Sequence, residues 1–530
     1  MNVIMKKIIA FLVVGVMIIS SCVGCGTSSK SNGNRKKAVL NVSVFDGGYG
    51  TEYLESIAEA FEAEYTSVDV VIEKTNLFSE IKNQLAADRY VADVIVTITN
   101  YTDSGVKGKV LDITDVYDSY PYGEDGQKTI REKLAETADA NNFEDKFYQI
   151  PVHSGSTGIV YNKVYLDAIY GEGKYELPVT TQQLIDMCKD IKAKNAWPFV
   201  YTNSVAAEYA VYLRDIFTAQ YMGYDAFKAY YNLSYLDANG KEVKANSASE
   251  FNKSVEKART SSYTVLNEIM SNKNGFVPES AASMNFTQAQ AYFVGFTSQS
   301  DVKVVGGHKG AAFMVNGDWL YGEVEKYAMD VELDIRFMRT PVNSAIIDKL
   351  STVNTEDQLV ECIKYVDTVI DGTEGARPAY LSDEDYERLY EARRMVWTTH
   401  AQQVATIPAN CTDEKIAKDF LRFIASDASA LSYSSALQGL RSVFSDEIYD
   451  EAAEIEFTKS INQAFKKPLR VTNLNTVYSL YGTLPFYSNM YFVQNLYKCT
   501  NVNNSVKSML AETEKEITNK WTKFVESYKE

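Results

Sequence analysis

The chain reads as a mixed α/β protein of more than one lobe, and three observations predict it. At 530 residues it exceeds the size at which one hydrophobic core keeps growing. Beyond position 37 it alternates strand-like and helix-like periodicities, and its C-terminal portion carries a run of amphipathic helical segments. Hydrophobic residues make up 45% and charged residues 23%, the balance of an ordinary folded globule rather than of a disordered or membrane-embedded chain.

The N-terminal segment comes first. Lys6 and Lys7 precede an apolar run from Ile8 to Ile19, followed by Ser20, Ser21 and Cys22, the charged, apolar and small-residue zones of an export signal. The run is short against the roughly 20 residues that span a bilayer core. Ile19-Ser20-Ser21-Cys22 resembles the bacterial lipobox, in which cleavage exposes a cysteine that carries diacylglycerol; Cys25 is the alternative. Residues 1–21 are thus expected to be a lipoprotein signal peptide and 22–37, rich in Ser, Gly, Asn and Lys, a flexible tether.

The folded body begins near Ala38. Val39 to Phe45 reads as a strand ended by Asp46-Gly47-Gly48-Tyr49-Gly50, whose glycines permit a tight turn and close backbone approach. Tyr53, Leu54, Ile57, Ala58 and Phe61 recur at helical steps, and Val68, Val70 and Ile72 then alternate as a strand does. A helix through Ile81 and Leu85 leads to the apolar strand Val94-Ile95-Val96. That strand ends at Asn100-Tyr101, and the carboxyl ends of such strands are where open α/β sheets bind ligands. Farther on, Thr180 and Gln183 form a capping box, Asn239-Gly240 a hairpin turn, and Ser382 caps a helix expected to reach Trp397. Ile416 to Ile424 is amphipathic, and a last helix runs towards Trp521.

Composition narrows the function. A net charge of −17 repels phosphate backbones and disfavours nucleic acid as a partner. The 37 Tyr and 24 Phe suit pockets for amphipathic solutes. Of six cysteines, Cys188, Cys362, Cys411 and Cys499 are scattered, and Cys22 and Cys25 lie where no fold surrounds them, so neither a disulfide framework nor a metal or redox site emerges. His153, His308 and His400 occupy no metal-binding spacing, Gly155-Ser156-Thr157-Gly158 lacks the spacing of a nucleophile elbow, and Asp383 and Asp385 sit at a helix start where carboxylates cap. No catalytic residue and no cofactor is expected. A secreted glycoside hydrolase stays as the rival class, because two carboxylates brought together by folding leave no trace in sequence.

Several segments in order resemble the extracellular solute-binding proteins of sugar ABC importers, the maltose-binding type included. They are Phe45-Asp46-Gly47-Gly48, Ala92-Asp93-Val94-Ile95, Phe147-Tyr148-Gln149-Ile150-Pro151, Gly158-Ile159-Val160-Tyr161-Asn162-Lys163, Gly310 to Trp319, and Lys415 to Ile424. The resemblance implies a two-lobe periplasmic-binding-protein-like α/β fold with discontinuous lobes joined by a hinge. It places 38–152 plus 341–440 in lobe 1 and 153–340 plus 441–530 in lobe 2. It further implies capture of an oligosaccharide in the interlobe cleft, delivery to a membrane permease, and a monomeric lipoprotein held on the outer face of the cell membrane by lipidated Cys22. Binding of a peptide or another small solute by the same fold is the alternative.

A sugar offers apolar C–H faces and a rim of hydroxyls, so its cleft needs aromatic platforms and planar polar side chains. Asn316-Gly317-Asp318-Trp319 resembles the family segment that presents an aromatic, which nominates Trp319 with Asp318 beside it. Asp46 and Tyr49 on the glycine loop, and Asn100 and Tyr101, would face the cleft from lobe 1. Ser154 and Ser156 flank the first crossing, Tyr201 and Asn203 follow the strand-like Pro198-Phe199-Val200, and Tyr487 lies in the C-terminal segment. Arg339 is expected in a structural salt bridge rather than on an acidic sugar.

Overall fold

In the computed structural model the described residues are 37–76, 78–98, 108–137, 146–153, 155–201, 209–231, 233–326, 328, 330–398, 403–471 and 502–527. The chain opens with β1 (Ala38–Phe45), β2 (Val68–Thr75), β3 (Val94–Thr97) and β4 (Ile150–His153). It continues through β5 (Ser156–Asn162), β6 (Phe199–Val200), β7 (Phe313–Gly317), β8 (Ile335–Met338) and β9 (Met395–Thr398), then β10 (Gln403–Thr406) and β11 (Leu469–Arg470).

These strands form two sheets. The first has the order β2-β1-β3-β10-β4, with β1 and β3 parallel in the register Val42 to Val94. The second runs β11-β9-β5-β7-β6. There β5 is central: β7 pairs antiparallel along one edge, while β8 takes Ile159 to Asn162 and β9 takes Ser156 and Thr157 on the other. The chain therefore changes sheet between His153 and Ser156, where Gly155 takes φ +63°, a conformation that favours glycine. It returns to the first sheet between Thr398 and Gln403.

Local signals place the elements that the periodicity predicts. The helix Glu52–Glu64 buries Tyr53, Leu54, Ile57, Ala58 and Phe61. The side chain of Thr180 accepts the Gln183 amide and caps the helix Thr181–Ala193, which buries Cys188. Strands Ser234–Leu236 and Glu242–Lys244 pair around Gly240, which has φ +74°. A second hairpin, Lys303–Val305 with His308–Gly310, stands in the stretch between Phe293 and Gly310.

Two expectations are corrected. The helix capped by Ser382 ends at Arg394, and Trp397 lies on strand β9, its backbone in register with Thr157. The return to the first sheet comes after Thr398 rather than near Pro341. Val342 exchanges backbone hydrogen bonds with Val179 and Thr181 at 2.9 Å, and Arg393 donates to the carbonyl of Thr340 at 2.9 Å, so the segment 341–398 stays with the second sheet. Its helices bury their own apolar cluster around Leu359, Ile363, Val366 and Leu389. Among the described residues, no helix is long and apolar enough to cross a membrane, and no group of three His, Cys, Asp or Glu could hold a metal ion.

Candidate functional site

Where the chain first passes between sheets, rings from both meet. Tyr49, on the loop after β1, stacks on His153 at the end of β4, with centroids 3.9 Å apart and planes 3° from parallel. Its edge faces Trp319, 6.3 Å away at 74°. Trp319 in turn meets Tyr209 edge-on at 6.1 Å, Tyr209 stacks on Tyr212 at 5.3 Å, and Tyr212 lies 4.4 Å from Trp397. Six rings thus run from the first sheet, through Tyr49 and His153, to the second, through Trp319 and Trp397. Tyr53 and Tyr433 close around His153 from behind, with centroids at 4.4 and 5.2 Å.

The local sequence explains the fit. Trp319 precedes the short helix Leu320–Val324, and its indole folds back over its own strand end. A Cβ at Gly317 would lie 2.2 Å from that ring, and one at Gly48 would lie 2.8 Å from the Trp319 Cβ. Both positions need glycine for close approach rather than for dihedral freedom. Trp319 is 6% exposed. A cavity of ≈ 290 Å³ opens beside it, bounded by Tyr49, Asp318, Tyr321, Gln438, Phe457 and others, with Glu52, Glu325 and Lys326 among its charged lining.

Polar groups tie the two sides together. The Tyr49 hydroxyl donates to one carboxylate oxygen of Asp318, and the Ser156 amide donates to the other at 2.9 Å. Burial pushes the Asp318 carboxyl up to about 6, although these donors pull it down. Burial likewise raises Glu323 to about 7, with the Gln290 amide, which donates to it, and Lys326 opposing. His153 shares a 2.6 Å hydrogen bond between Nδ1 and the Tyr433 hydroxyl, and burial drives its imidazole down to about 3, so it is neutral. Among the described residues, His153 Nε2 and Trp397 Nε1 are buried without a hydrogen-bond partner, and buried polar atoms in folded proteins nearly always have one.

The structure brings Tyr49, Ser156, Asp318 and Trp319 together. Asp46 is exposed on the same loop, its amide donating to the Thr75 carbonyl at 3.3 Å. Tyr201 is 3% exposed within the second apolar cluster, beside Phe199 and Leu213. Asn100, Tyr101, Ser154, Asn203, Tyr487, Cys22 and Cys25 lie outside the described residues. Arg339 ion-pairs with Asp367 at 3.1 Å and with Asp371, as expected of a structural bridge. Sequence reasoning missed His153, Tyr212, Trp397 and Tyr433 as members of this ring cluster. A strand signal was available in Val396-Trp397-Thr398, and a histidine closing the apolar Ile150-Pro151-Val152 was a visible oddity; nothing local marked Tyr433.

A curated relative, the diacetylchitobiose binding protein NgcE of Streptomyces coelicolor, is 22% identical over 197 residues, which is 36% of this chain and 40% of that protein's length. The match therefore spans less than half of that relative. Among solved structures, one from work on xylan utilization by Caldanaerobius polysaccharolyticus superposes with a TM-score of 0.55 at 15% identity, covering 89% of this chain and 99% of that one. An ABC substrate-binding protein from Listeria monocytogenes in complex with cycloalternan gives 0.54 at 13% identity, with 91% and 99% covered. These likenesses show the fold, an α/β architecture of two lobes. The family pattern described as bacterial extracellular solute-binding protein matches residues 47–347, more than half of the sequence. The chain belongs to the bacterial extracellular solute-binding protein family.

Proposed function

We propose that the protein captures an oligosaccharide between its two lobes, closes around it, and delivers it to the membrane permease of an ABC importer. One observation carries the reading: six aromatic rings form a continuous cluster across the seam where the chain changes sheet, and two of them, Tyr49 and Trp319, line the adjoining cavity. Flat rings pack against the C–H faces of a sugar. The buried His153 Nε2 and Trp397 Nε1 suit the hydroxyl rim, since an imidazole nitrogen and an indole N–H both pair with O–H groups. The sugars named for NgcE and for the Listeria protein support the same class.

The family is extracellular, which places the folded body outside the cytoplasm. Lipidation of Cys22, or alternatively Cys25, would tether the protein as a monomer to the outer face of the membrane through residues 22–37. Ligand can favour the closed state only by binding it better than the open one.

A thermal-shift screen against oligosaccharides, amino acids, peptides and polyamines tests the proposal. Stabilisation by an oligosaccharide, followed by a calorimetric isotherm, supports it; stabilisation by peptides or polyamines alone overturns the sugar assignment. The rival glycoside hydrolase needs two carboxyls facing one bond. Asp318, buried at the seam, and the half-buried Glu323 are each already engaged by protein donors. Incubation with the same sugars should release no products.

A further inference from the structure

Tyr49 belongs to the loop after β1 of the first sheet and Asp318 to the turn after β7 of the second, 269 residues apart in sequence. Each is 8% exposed. The Asp318 carboxyl holds the Tyr49 hydroxyl and the Ser156 amide, and among the described residues no lysine or arginine supports it. A buried carboxylate without a cation is costly to ionise. Water would reach it if the halves moved apart.

We propose that the Asp318 carboxyl, buried at its contact with Tyr49 between the two halves, is a proton-linked latch: its burial favours the joined halves when it is protonated and opposes them when it ionises, the Tyr49 hydrogen bond offsetting part of that cost. This rests on the two-lobe capture reading above and adds a control to it. The groups packed around Asp318 are neutral or acidic. Tyr49 and Tyr433 face it as phenols that burial keeps protonated, and Ser156 offers its amide from β5. His153, neutral, lies behind Tyr49. Glu323, one turn along, is held by Gln290, while Lys326 stands beside Glu323 and lines the cavity with Glu52 and Glu325.

The sign follows. With the two halves in contact as they are here, burial pushes the Asp318 carboxyl up to about 6 from its ordinary 3.8, outweighing the hydrogen bonds to the anion. Closing therefore takes up a proton, and the closed population grows as pH falls through about 6. Between pH 5 and pH 8 the closed-to-open ratio of the ligand-free protein should fall about tenfold.

Small-angle scattering of the ligand-free full chain reads this directly. The wild type should expand between pH 5 and pH 8. Asp318→Asn, neutral at every pH, should lose that dependence, and Tyr49→Phe should shift the midpoint upward, since the anion loses a donor. A wild-type radius constant over that range overturns the latch. So does a dependence that survives in Asp318→Asn and disappears in Glu323→Gln. If a sugar from the screen compacts the protein while pH does not, the latch fails and the capture reading stands. If pH compacts it while no sugar binds, the latch stands and the capture reading fails.

Discussion

Replacing Trp319 by alanine separates two roles that one indole can play. The ring is 6% exposed, wedged between Gly317 and Gly48 and edge-on to Tyr49 and Tyr209. Truncating a buried tryptophan costs about 3–5 kcal/mol, from lost transfer energy and the cavity left behind. Against a usual stability of about 5–15 kcal/mol, that loss leaves the protein folded except near the lower end of the range. If the indole also stacks on the ligand, affinity should fall by about 2 kcal/mol or more, some thirtyfold in Kd. Denaturant unfolding measures the first quantity and calorimetry with an oligosaccharide from the screen measures the second. Gly317→Ala should reproduce the affinity loss with the tryptophan present, because the new Cβ lies 2.2 Å from the ring and displaces it. Unchanged affinity in a destabilised Trp319→Ala variant removes the platform role. Unchanged stability refutes the burial argument itself.

Three further outcomes are expected. The His153 imidazole should stay neutral from pH 8 to pH 5 when its ring resonances are followed by NMR, because burial holds it near 3. Its folded value lies below the unfolded one, so its contribution is full above about 6.5 and is lost at about 1.4 kcal/mol per pH unit as pH falls towards 3. Asp318 and Glu323, raised in the folded state, act in the opposite direction below about 6 and 7, so the His153 share is read by comparison with His153→Phe. Arg393→Ala should cost about 3 kcal/mol in denaturant unfolding, since it removes the two 2.8 Å bonds to Asp367 and strands that carboxylate beside Arg339 alone. Cys22→Ala should abolish incorporation of labelled palmitate and release the protein from membranes; persistent labelling moves the anchor to Cys25.

Much of the fold was legible because it is written in short-range chemistry. The face of Glu52–Glu64, the Thr180 cap and the Gly240 turn each depend on residues within a few positions of one another. Trp397 shows where that reasoning stops. The helical pattern after Ser382 runs smoothly into it, yet it lies on a strand that pairs with Thr157, some 240 positions earlier. The return between sheets was misplaced for the same reason: nothing in Pro341 or its neighbours reports that Val342 will pair with Val179.

The candidate site divides the same way. The sequence alone determined the residues that the candidate site draws on: the glycine loop with Tyr49 and the Asn316-Gly317-Asp318-Trp319 segment. The tertiary structure decided that Asp318 answers Tyr49, that Tyr433 answers His153 from 280 positions away, and that Tyr201 packs into a core. Period and capping are set by neighbours along the chain. Which distant rings and carboxyls meet is set by the burial of whole surfaces against each other, a property that no short window of residues contains.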